Sequence, residues 1–142
     1  MNEYFVTKSI ATYLKEKDWD VVSVNAPFSG RAIWIKPRDA FRGKGALIPD
    51  IIAVKDKRLL IVECAAPYKY HDELKLCMYR TDRYIGTLYE LFKFDFGPAP
   101  ITAIGIPASD MERVRDKTFV VFGVTPNCVI VEAPSELVDD FQ

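Results

Sequence analysis

The centre of the chain runs Ile48-Pro49-Asp50-Ile51-Ile52-Ala53-Val54, then Lys55-Asp56-Lys57-Arg58, then Leu59-Leu60-Ile61-Val62-Glu63-Cys64-Ala65. Two apolar runs flank a short charged turn, the pattern of a β-hairpin. Each run carries one acid near its outer end, Asp50 on the first and Glu63 on the second. Asp50 lies five residues before Lys55 and Glu63 five after Arg58, so the two stand opposite or nearly opposite each other. Directly paired residues on antiparallel strands have Cβ atoms within about 5.5 Å, near enough for two carboxylates to share one cation. A carboxylate at such a place is costly to bury unless it is paired or binds a metal. Hard cations such as Mg²⁺ take oxygen ligands, typically one or two carboxylates with waters and a phosphate. The structural alternatives are a Pro-Asp turn at residue 50 and a surface acid closing the strand at residue 63.

The Pro49-Asp50 pair followed by Glu63 resembles the signature of the PD-(D/E)XK nuclease superfamily, the restriction-endonuclease-like fold. The similarity covers the motif and the order of elements over residues 2–125. It implies an α/β fold with a mixed central sheet flanked by helices. It also implies Mg²⁺-dependent hydrolysis of DNA phosphodiesters, with Mn²⁺ able to substitute. Asp50 and Glu63 are then catalytic and metal-holding, and the backbone carbonyl of Cys64 is a usual further ligand. Glu3 matches the first-helix acid that joins the metal site in some relatives; a helix-dipole acid is its structural alternative. A chain of this size would often act as a homodimer. The family places lysine two residues after the Glu, where this chain has Ala65. Lys69, just past the strand, is the first candidate to replace it as a catalytic residue; Lys75 and Lys44 follow.

Between residues 31 and 44 five basic residues, Arg31, Lys36, Arg38, Arg42 and Lys44, meet one acid and are interleaved with Trp34 and Phe41. Such a loop, close before Asp50 and carrying Gly43 and Gly45, suits contact with a nucleic-acid backbone. The alternative is a solvated loop that aids solubility.

The 142 residues suit one domain, residues 1–142, with its own core. Hydrophobic residues at 49% and charged residues at 27% form an ordinary globular balance, and no apolar run approaches a membrane span. The first residues lack the order of a signal peptide, which points to the cytoplasm. Cys64, Cys77 and Cys128 form no CxxC pair and read as reduced and mostly buried, not as a zinc site. Residues 1–60 hold eleven Lys/Arg against seven Asp/Glu, and residues 61–142 hold eight against thirteen. Nucleic-acid binding therefore rests on charge distribution rather than net charge, which is −1.

Helical spacing of Val6, Ile10, Tyr13 and Leu14 predicts a first helix over 2–17. A strand follows over 19–26 and a further short one over 31–35. A long helix over 70–92 carries the stripe Leu74, Cys77, Met78, Ile85, Leu88, Leu91 and Phe92. Gly86 interrupts it, for close packing or as a break between two helices. Strands follow at 101–106, 119–124 and 128–132. Ser109 with Glu112 forms a capping-box pattern for a short helix. The tail, 134–142, reads as exposed, with at most a last helical turn. His71, the lone histidine, reads as a polar helix-start residue. Tyr68 and Tyr70 stand out only for their place beside the motif.

Two rivals to the nuclease remain from sequence. One is a non-catalytic relative kept for DNA binding or assembly; the other is an unrelated α/β interaction protein in which Asp50 and Glu63 are structural.

Overall fold

The computed structural model describes residues 1–26, 32–39 and 44–142. The element order is α1 (Glu3–Glu16), β1 (Asp20–Val24), β2 (Ile51–Lys55), β3 (Arg58–Cys64), α2 (Tyr70–Met78), α3 (Asp82–Phe92), β4 (Ile101–Pro107), β5 (Val120–Val124) and β6 (Val129–Glu132). Two 3₁₀ segments, Ala108–Arg113 and Ser135–Phe141, complete it. The strands form one mixed six-stranded sheet in the order β1-β2-β3-β4-β5-β6. β2 pairs antiparallel with both β1 and β3, β3, β4 and β5 run parallel, and β6 returns antiparallel. The β3–β4 crossover carries α2 and α3. Among the described residues no helix is long and apolar enough to cross a membrane.

The β2–β3 hairpin closes through Asp56 and Lys57, both left-handed (φ 48° and 62°), with Lys55 paired to Arg58. Two positive-φ residues in a two-residue loop are what a type I′ turn requires, and its twist matches that of the strands. The turn sets the register from Lys55–Arg58 outward to Ile51–Val62.

Alternation along the strands divides the core in two. Ile51, Ala53, Leu60, Val62 and Cys64 face α1, where Val6, Ile10 and Leu14 are fully buried. Ile52, Leu59 and Ile61 face the opposite layer, against Leu76 of α2, Tyr79 just after it, and Tyr84 and Leu88 of α3. Asp50 and Glu63, in phase with Ile52 and Ile61, project into that second layer.

Several elements differ from the sequence expectation. The helix over 70–92 is two helices, and the break falls at residues 79–81, not at Gly86. Thr81 is extended (φ −87°, ψ 154°) and its hydroxyl donates to the Met78 carbonyl at 2.7 Å, which closes α2 and opens α3. The break changes the helix axis, so one stripe cannot serve both pieces: Leu74, Cys77 and Leu91 are exposed. Gly86 instead admits a side chain, since a Cβ there would stand 2.1 Å from Arg38 Nε. Of the strand over 31–35, only an Ile35–Leu47 bridge forms among the described residues. Ser109 does not cap a helix, because the segment is 3₁₀, starts after Pro107 and has no side-chain cap. The tail is not simply exposed: Phe141 is buried, stacked on Trp19 at 5.4 Å, and its carbonyl accepts from the Tyr13 hydroxyl. Only one cysteine, Cys64, is buried; Cys77 and Cys128 are exposed.

Candidate active site

One step outward from the Ile51–Val62 pair, Asp50 faces Glu63. The Asp50 carbonyl accepts from the Asn25 amide at 2.8 Å, so the backbone of Asp50 faces β1 and not β3. Asp50 and Glu63 therefore form a non-hydrogen-bonded pair, the kind with Cα atoms about 4.5 Å apart and side chains close together. Cys64, one residue on, turns its backbone toward β2 and meets Pro49. Proline has no N–H, so it cannot satisfy the Cys64 carbonyl. The Cys64 amide donates to the Asp50 carboxylate, Oδ2, at 2.7 Å. Hairpin register and one proline thus bring two carboxylates and a backbone carbonyl to one corner of the sheet.

The corner is dry. Asp50 is 9% exposed and Glu63 1%. Burial, above all, pushes the Glu63 carboxyl up to about 9, and the neighbouring Asp50 charge adds to it. Asp50 is raised too, again chiefly by burial, and its bond from the Cys64 amide opposes this. Each carboxyl thus faces a second buried acid, and of the two Glu63 is the one pushed up to about 9. Tyr79, fully buried at the C-cap of α2, donates its hydroxyl to Glu63 Oε1 at 3.0 Å. Lys75, one helical turn earlier, brings Nζ to 3.8 Å from Glu63 Oε2.

Of the residues expected from sequence, Asp50, Glu63 and the Cys64 backbone come together. Lys69 does not join them. It is exposed at the N-cap position of α2, and the cation paired with Glu63 is Lys75. The reason is reach: Lys69 precedes the helix, whereas residues 75 and 79 lie on one face of it. Ala65, at the family's lysine position, is buried in the cluster beneath α2 and α3. Glu3 is exposed in the first turn of α1, and its charge acts on Asp50 from there. Among the described residues no three His, Cys, Asp or Glu side chains form a metal-holding group. A cation here would rest on two carboxylates and the Cys64 carbonyl, with water for the remainder, a set that suits Mg²⁺.

Lys36, Arg38 and Lys44 are exposed, on strands of chain laid over α3. The Lys36 carbonyl accepts from Thr87, the Gly45 carbonyl from Tyr84, and Arg38 lies 3.5 Å from Glu90. Asp39 pairs with Arg83 at 2.8 Å. These contacts put the basic segment on the α2/α3 side of the sheet, the side into which Asp50 and Glu63 project. Arg31 and Arg42 lie outside the described residues.

Sequence reasoning missed Tyr79, and also Glu73, a buried acid on α2. The helical spacing from Lys75 to Tyr79 was the available signal for the first. Glu73 accepts from the nearby Tyr68 hydroxyl, but its backbone partners, the amides of Arg115 and Asp116, lie far along the chain and leave no local signal.

Comparison with family models, with curated proteins and with solved structures gives no match. Fold and site define a mixed α/β protein with an open six-stranded sheet, and a buried pair of carboxylates with an attendant lysine at the strand ends.

Proposed function

We propose that this chain is a divalent-metal-dependent nuclease of restriction-endonuclease-like architecture that hydrolyses DNA phosphodiesters. The observation that carries the proposal is the buried Asp50–Glu63 pair, opposed in register, with Lys75 as its paired cation. Helix, antiparallel three-strand meander, helical crossover and parallel strand in that order support it. So does the basic segment on the same side of the sheet.

Mg²⁺, or Mn²⁺ in its place, would be held by Asp50, Glu63 and the Cys64 carbonyl. Bound there, it supplies charge to polarise the phosphate and acidity to an attacking water. The remaining roles belong to the chain. The Cys64 amide fixes the Asp50 carboxylate, and the Tyr79 hydroxyl fixes that of Glu63. Lys75, partly exposed, is the side chain able to meet a phosphate oxygen as negative charge develops, the role of a pre-placed donor. Lys36, Arg38 and Lys44 supply sequence-independent attraction to the backbone. A homodimer would give one site for each strand.

The test is cleavage of supercoiled plasmid and branched DNA with Mg²⁺ or Mn²⁺, comparing wild type with Asp50→Ala. Metal-dependent cutting that disappears in the variant is the expected result. Clean wild type that binds DNA without cutting it, in either metal, would refute hydrolysis and favour the non-catalytic relative.

A further inference from the structure

Two short pieces of chain, each with an extended middle residue, lie side by side beyond the ends of β3 and β4. One is Tyr68-Lys69-Tyr70, extended at Lys69 (φ −134°, ψ 127°). The other is Arg113-Val114-Arg115, extended at Val114 (φ −65°, ψ 126°). Residues two apart in extended chain project to one side. Here they match in step: the Arg113 guanidinium lies 5.0 Å from the Tyr68 ring centre, and that of Arg115 lies 4.3 Å from the Tyr70 ring centre. The result is a two-rung arginine–tyrosine ladder.

The ladder is anchored by buried groups. Glu73, 2% exposed, accepts from the Arg115 amide at 3.1 Å and the Asp116 amide at 2.8 Å, and also from the Tyr68 hydroxyl. Asp110 accepts from the Tyr68 amide at 3.0 Å. Val114, 2% exposed, plugs into the core between the two arginines. A buried carboxylate is costly unless its bonds are made, and those of Glu73 are made to this one turn of backbone. The guanidiniums themselves stay outside: both arginines are exposed. The Arg113 guanidinium has Asp110 at 3.9 Å, and among the described residues no ion pair forms at the Arg115 guanidinium.

Stacking holds a guanidinium's plane while leaving its N–H groups free, and a planar fork matches the paired oxygens of a phosphate. The rungs are two chain steps apart, about 6.6 Å, so they can engage successive phosphates of one strand rather than one isolated anion. The ladder's position gives it a task. β3 and β4 run parallel and finish at the same end of the sheet, Cys64 level with Gly105; Tyr68 follows β3 by four residues, and Arg113 closes the 3₁₀ segment that follows β4. The ladder therefore lies beyond the same strand ends that carry Glu63.

We propose that Arg113 and Arg115, braced on Tyr68 and Tyr70, form a phosphate-backbone contact for a nucleic-acid strand, separate from the basic segment over α3. This rests on the nuclease reading for its partner, but it concerns binding and not cutting.

The experiment is salt-dependent binding of a fluorescein-labelled DNA duplex, followed by anisotropy in EDTA from 50 to 200 mM salt. Loss of two phosphate contacts in Arg113→Gln/Arg115→Gln should flatten the slope of log K against log salt by about 1.8 and weaken binding at least tenfold at low salt. Tyr70→Leu, at a position 43% exposed, keeps both charges and should weaken binding with the slope nearly kept. It serves as the test if the double variant melts early. An unchanged slope and affinity in the double variant, beside a wild type that binds and cuts, would overturn the ladder alone. Ladder-dependent binding without cutting would leave the ladder standing and remove hydrolysis. A wild type that binds no DNA would overturn both.

Discussion

Replacing Glu63 by glutamine should change how stability depends on pH, and the structure gives the size. The folded Glu63 carboxyl stands near 9 against an ordinary 4.5, so between those values the folded chain holds a proton that the unfolded chain has lost. Stability tied to this group is complete below about 4.5 and is lost as pH rises toward 9, at up to about 1.4 kcal/mol per unit. From pH 5 to pH 8 the loss is about 4 kcal/mol at most, and about half that if Lys75 swings closer as the charge appears. For a domain of this size each kcal/mol moves Tm by roughly 3 °C, so wild type should lose about 6–12 °C over that range. A glutamine side chain in place of Glu63 keeps the shape, accepts from Tyr79 and donates to Asp50, but cannot ionise. Glu63→Gln should therefore match wild type near pH 5 and melt several degrees higher at pH 8, in EDTA. Thermal melts followed by circular dichroism at four pH values suffice. Parallel profiles for the two proteins would refute the raised carboxyl and the dry corner that causes it.

Other expectations follow from single contacts. Lys75→Met should cut cleavage by roughly 100-fold, the scale for removing one charge-stabilising donor, while Lys69→Met stays within about twofold; equal losses would contradict the assignment to α2. Gly86→Ala should displace the exposed Arg38 side chain yet gain up to about 1 kcal/mol of helix stability, read as a raised Tm. A lowered Tm would mean that the seat of Arg38 on α3 matters more than helix propensity. Phe141→Ala should cost about 3 kcal/mol and shift Trp19 emission to the red, since the two rings stack and Trp19 is only 3% exposed. An unshifted spectrum would show that the tail does not cover Trp19.

The hairpin was legible because its evidence is local. Two apolar runs and a four-residue charged turn fix a register, and counting outward from Lys55 and Arg58 places Asp50 against Glu63, where the next pair of the ladder falls. The buried stripe of α1 was legible for the same reason. Contacts that cross the chain were not. Lys69 looked nearest to Glu63 along the sequence, but Lys75 reaches it because a helix brings a later residue back over the strand it follows. The stripe over 70–92 failed because Thr81 resets the helix axis, which a single 3.6-residue period cannot express. Leu74 and Leu91 were assigned to a core they do not enter. The Tyr–Arg ladder joins residues 68 and 70 to 113 and 115, with no local pattern to announce the match. Phe141 reads as one apolar residue in an acidic tail, and only the packing of Trp19 gives it a place.

The most direct measurement of the carboxylate corner is calorimetric titration of Mn²⁺ into the protein at pH 7.5 in two buffers of different ionisation enthalpy. With the Glu63 carboxyl raised to about 9, a cation that takes its place between Asp50 and Glu63 at pH 7.5 should displace a proton from it. The predicted result is one Mn²⁺ per chain with release of close to one proton, and loss of both in Asp50→Asn and in Glu63→Gln. Mn²⁺ binding that releases no proton and survives both substitutions, or no binding at millimolar metal, would contradict a metal site at this pair.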